Sequence, residues 1–137
     1  MYTIIPGTWY NTVVGARSIY LIHFIHKMQL SVQFCKLSNL LRLHTNVRFL
    51  KHSPIFKLQG DAKNSYKGIG GAVRVSEDEY VLDSFGEYMR HSNSPSCIVV
   101  GRRVIANTEL HPGDELTYDS NQLPISTYKA FKHHSNV

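Results

Sequence analysis

Cysteine is scarce in this chain. Its 137 residues hold two, Cys35 and Cys97, and no C-x-x-C. That spacing argues against a zinc-thiolate site, and two cysteines allow one disulfide or two free thiols, the latter expected of an intracellular protein. Long apolar runs are also missing. The longest covers residues 19–22 and stops at His23, far short of the ~20 residues that span a bilayer. The first residues, MYTIIPGTWYNTVV, have no basic stretch ahead of an apolar one, the pattern a secretory signal requires. No run of five like charges, repeat or low-complexity tract occurs.

What is present fits one globular unit. Hydrophobic residues make up 42% and charged residues 18%, enough apolar surface to bury a modest core. The formal charge is +5 and the pI about 9.3. Such a balance admits nucleic acid as a partner, but the 15 Lys and Arg residues are scattered, as on an ordinary basic surface. Eight histidines occur, among them His23, His26, His133 and His134. None has a spacing that converges on a metal, so no metal site is expected.

Along the chain the dominant signal is the short strand. Residues 17–34 fit a helix face or a strand equally well. Residues 38–50 place Leu41, Leu43, Val47 and Phe49 between polar neighbours, as a half-buried strand requires. Pro54 should precede a strand over 55–58 because it cannot donate to a ladder. Residues 61–71 are polar and glycine-rich, a loop; Gly68, Gly70 and Gly71 lack the full phosphate-binding pattern and precede strand-like sequence. Residues 72–75 and 80–82 are strand candidates joined by an acidic turn. Residues 98–100 and 104–106 flank Gly101, Arg102 and Arg103 as a β-hairpin, 111–114 form a turn, and 116–118 form the last strand. The fold class is therefore mainly β, short strands in small sheets with little helix.

The richest segment is 79–121. It carries YMRHSNSPSC at 88–97, then Ala106 and the block GDELTYDSN at 113–121. This order resembles the C-terminal half of a SET domain, with its RF-x-NHS-x-x-PN motif and later A-x-x-x-I-x-x-G-E-E-L-T-[FY]-D-Y block. A weaker likeness to the family's early hairpin covers about residues 41–60, and none covers 1–35. The resemblance divides the chain into a segment 1–35 of unclear relationship and a SET-like domain over 36–137, with a β-clip fold.

It implies a protein-lysine methyltransferase that uses S-adenosylmethionine and acts on a lysine of a protein or peptide. Arg90 and His91 stand at the cofactor-binding motif, and Pro95 matches its proline. Tyr88 and Met89 match the substrate-channel wall, and Tyr118 the Phe/Tyr position that sets how many methyl groups fit. Tyr118 and Ser120 are the catalytic candidates, Ser120 occupying the place of the usual tyrosine. The chain departs from the family at Glu87, Arg90, Ser96 and Ser120. These departures support an alternative, a catalytically degenerate SET-like binding or scaffold module. A third reading is a basic β-domain for nucleic acid, which needs aromatics along one basic face.

Overall fold

The computed structural model describes residues 28–125. Expectations at residues 1–27 and 126–137, including those for His23, His26, His133 and His134, lie outside the described residues. The first described strand settles the helix-or-strand ambiguity for its own stretch. β1 (Leu30–Cys35) is a strand, paired antiparallel along its whole length with β2 (Leu40–Thr45). Asn39 closes the hairpin at φ 58°, a left-handed conformation that asparagine tolerates, and donates its N–H to Cys35 O at 2.8 Å. The expected alternation holds at Leu43 and Phe49, which are buried, and at Val47, which packs on the core, but not at Leu41, which is exposed beside Phe34 near the hairpin turn.

Two three-stranded antiparallel sheets follow. One has the order β3 (Pro54–Lys57), β9 (Arg103–Ala106), β8 (Cys97–Val100). The β8–β9 hairpin forms where glycine predicts it. Gly101 sits at φ 59°, the positive value that a two-residue hairpin turn favours at its first position. Pro54 corrects the sequence reading, because the strand includes it. It occupies the first position of an outer strand, where a missing N–H removes no central ladder bond.

The other sheet has the order β4 (Ala62–Lys63), β6 (Tyr80–Val81), β5 (Val73–Arg74). β4 lies inside the segment read as loop. Two residues are too few to show a period of two, and only pairing with β6 makes them a strand. The remaining pair, β7 (Arg90–His91) and β10 (Thr117–Tyr118), is parallel. The architecture is thus mainly β, in small sheets with almost no helix.

One core joins these sheets. Leu43, Leu58, Val73, Val81, Leu110 and Leu116 are buried in it, each contributing roughly 1.5–3 kcal/mol by leaving water. Phe56 and Phe85 meet edge to face, ring centres 6.2 Å apart. Among the described residues Asp83 is the one buried carboxylate in this interior. Its Oδ1 accepts from Gln59 N at 2.8 Å, and its Oδ2 from Phe85 N at 2.9 Å and Gly86 N at 2.8 Å. The carboxylate therefore closes the turn into the 3₁₀ helix Gly86–Tyr88, which delivers the chain to β7. Gly86 is required there for space, since a Cβ would stand 2.8 Å from Leu58 Cδ2 and 3.1 Å from Val73 Cγ2.

Candidate functional site

Parallel pairing of β7 with β10 brings the two motif segments together. Arg90 lies opposite Thr117 and His91 opposite Tyr118. Ser92 N then donates to Tyr118 O at 3.0 Å. The pairing is clamped from the side by Ser96 and Thr117. Ser96 N donates to Thr117 Oγ1 at 3.0 Å, Thr117 N to Ser96 Oγ at 2.9 Å, and Ser96 Oγ to Glu115 O at 2.8 Å. Asn107 completes the clamp, its Nδ2 donating to Pro95 O at 3.0 Å. Ser96 thus holds the site's backbone together at a position where the resemblance expects asparagine.

His91 is the hub of the side-chain geometry. Its Nδ1 accepts from Ser120 Oγ at 2.9 Å and from Ser120 N at 3.1 Å, and its Nε2 lies 3.1 Å from Asn93 Oδ1. A proton on Nε2 satisfies all three contacts at once. Asp119 Oδ1 stands 3.7 Å from Nδ1 and accepts from Asn121 N at 3.0 Å. Ser120 is therefore tethered to the histidine by main chain and side chain together.

Arg90 faces the other way, as neighbours in a strand do. Its Nε meets Glu115 Oε2 at 3.0 Å and its Nη2 meets Glu115 Oε1 at 3.2 Å, a two-point pairing. Arg42 Nε lies 3.9 Å from the same carboxylate. The hydrogen bonds and charge of Glu115 raise the Arg90 pKa further. Glu87, three positions before Arg90, is packed against Gly71 instead.

Tyr118 is half-buried against the core, and burial, followed by the nearby Tyr80, raises its phenol pKa. It remains a neutral hydrogen-bond donor at ordinary pH. Tyr118, Asp119, Ser120 and Cys97 line a cavity of about 20 Å³, room for a single water. Met89 is buried in the core and Tyr88 packs on it half-buried; neither lines that cavity. Cys97 is buried, and burial pushes its thiol up to about 12, so it is no thiolate. Among the described residues no three His, Cys, Asp or Glu side chains converge.

Of the expected site residues, the structure brings together His91, Tyr118 and Ser120 and turns Arg90 aside. The roles of Asn93, Ser96 and Glu115 were not read from the sequence. Asn93 and Ser96 carried only their places in the motif as a signal, and Glu115 its place in the acidic block.

No protein-family model matches the sequence, and no curated protein matches it. Among solved structures, the chain is similar to a crystal structure of KRYPTONITE in complex with mCHG DNA and SAH. The TM-score is 0.51 at 20% identity, over 73% of this chain and 25% of that one. At this identity the likeness is one of fold alone: the described residues have a mainly β, SET-like architecture of small sheets.

Proposed function

We propose that this chain is a SET-like domain that binds S-adenosylmethionine and transfers its methyl group, slowly, to a lysine of a protein or peptide. The observation that carries this reading is the parallel β7–β10 pairing, which sets His91 against Tyr118 and Ser120. The SAH in the KRYPTONITE complex, the demethylated form of the cofactor, supports the cofactor class. The charges at the site suit a cationic sulfonium. Glu115 matches the charge of Arg90, so that arginine offers no unpaired cation to a sulfonium, while the Asp119 carboxylate lies 3.7 Å from His91 Nδ1 and Tyr118 is the register partner of His91.

Bound there, the cofactor would supply a methyl group on a cationic sulfur. The protein's task is to hold a neutral amine in line with it. Half-buried surroundings disfavour the charged ammonium, which helps its proton leave. The neutral phenol of Tyr118 can orient the amine through a hydrogen bond. Ser120 is shorter than a tyrosine and already engaged by His91, which is the reason for the low rate.

A second reading, a SET-like binding module without catalysis, is favoured by the cavity of about 20 Å³ beside Tyr118, too small for a lysine side chain. Calorimetry of the full chain with S-adenosylmethionine, followed by radiolabelled methyl transfer to lysine peptides, separates the two. Binding with slow transfer supports the first; binding without transfer, or no binding of the cofactor, overturns the first and favours the second. A parallel titration with methylated duplex DNA examines the nucleic-acid reading, since the KRYPTONITE complex contains mCHG DNA.

A further inference from the structure

The β3–β9 register sets Lys57 directly opposite Arg103. Both are exposed. Among the described residues neither has an ion-pair partner. Like charges facing each other across a strand pair are destabilising. A chain that retains such a pair breaks a local rule, and broken local rules concentrate at functional positions. The two cations stand at one groove of about 270 Å³, whose other walls are Pro54, Ile55 and Phe56. No carboxylate among the described residues lines it. Among the described residues β3 is the outer strand of its sheet, with Pro54 and Lys57 exposed at its two ends and Ile55 and Phe56 buried between them.

We propose that this groove binds an extended acidic peptide segment. The segment's carboxylates would neutralise Lys57 and Arg103, and its apolar side chains would rest on Pro54. Charge complementarity favours this occupant. A nucleic-acid backbone running on past Arg103 would meet the next groove, where Asp61 and Glu79 balance Lys63 and Arg102, so no net positive charge there continues the attraction for phosphates. The site is independent of the cofactor reading.

The test is fluorescence anisotropy on the full chain with a labelled hexapeptide alternating glutamate and valine, and with its glutamine counterpart. At low salt the glutamate peptide should bind about fivefold tighter or more. Lys57→Glu and Arg103→Glu should each abolish that preference. Each should also raise the thermal midpoint by roughly 2–4 °C, because the cross-strand pair becomes attractive. Lys57→Gln and Arg103→Gln should weaken the preference without reversing a charge, which keeps the test valid if a reversal fails to fold. Equal binding of the two peptides, binding unchanged in the variants, a lowered midpoint in a folded charge-reversal variant, or an oligothymidylate that outcompetes the peptide at these residues would overturn the proposal.

Discussion

His91 Nδ1 stands 2.9 Å from Ser120 Oγ and 3.1 Å from Ser120 N, although the two residues are 29 positions apart. The main-chain half of this contact survives any side chain at position 120. Ser120→Tyr can therefore extend a phenol from the same anchored backbone. We expect slow wild-type methyl transfer to lysine peptides and an increase of at least about tenfold in Ser120→Tyr, since one well-placed hydrogen-bonding group is commonly worth on the order of a hundredfold. Robust wild-type turnover that persists in Tyr118→Phe would refute this account.

Arg90 and Glu115 give the second expectation. Arg90→Asn should leave S-adenosylmethionine affinity within about twofold by calorimetry, because the guanidinium is held by Glu115. Its stability loss should be small, about 0.5 kcal/mol, as for other exposed pairs. Glu115→Gln is the informative partner. It leaves Arg42 and Arg90 uncompensated together and should weaken cofactor binding, more so at low salt. Equal affinity in both variants would place this cluster away from the cofactor.

Asp83 should dominate local stability. Its carboxylate is buried and accepts three backbone N–H bonds. Asp83→Asn turns one acceptor oxygen into a donor facing N–H groups. We expect a loss of about 1.5–3 kcal/mol in urea unfolding. Gly86→Ala should lose about 1–3 kcal/mol by forcing a methyl against Leu58 and Val73. A change under about 0.5 kcal/mol in either variant would contradict the packing described.

The two thiols should differ in reactivity. Hydrogen bonds from Ser38 lower the Cys35 pKa, whereas burial raises that of Cys97 from 9.0 to about 12. An aromatic disulfide reagent at pH 8 should label Cys35 quickly and Cys97 only in denaturant. Cys97 also carries a pH dependence. The unfolded thiol ionises near 9.0 while the folded one stays neutral, so its contribution is intact below pH 9 and is lost as pH rises toward about 12. Cys97→Ser should flatten that alkaline decline in chemical unfolding; an identical decline would assign it to other groups.

Much of this protein is legible in one dimension. The β8–β9 hairpin is written in two apolar runs around Gly101, and the burial of Leu43 and Phe49 in their alternation with polar neighbours. These are local patterns of period and turn chemistry, so sequence alone determined them. The order of the motifs around His91 and Tyr118 likewise pointed to their proximity. Other features were settled by the tertiary structure. β4 exists only because β6 lies beside it, and Pro54 joins β3 because that strand is an outer one. Glu115 holds Arg90 because the β7–β10 register sets Arg90 opposite Thr117, two residues after that glutamate. Each depends on which distant backbones share a hydrogen-bond register, and register emerges when the whole core closes, not from any single stretch of sequence.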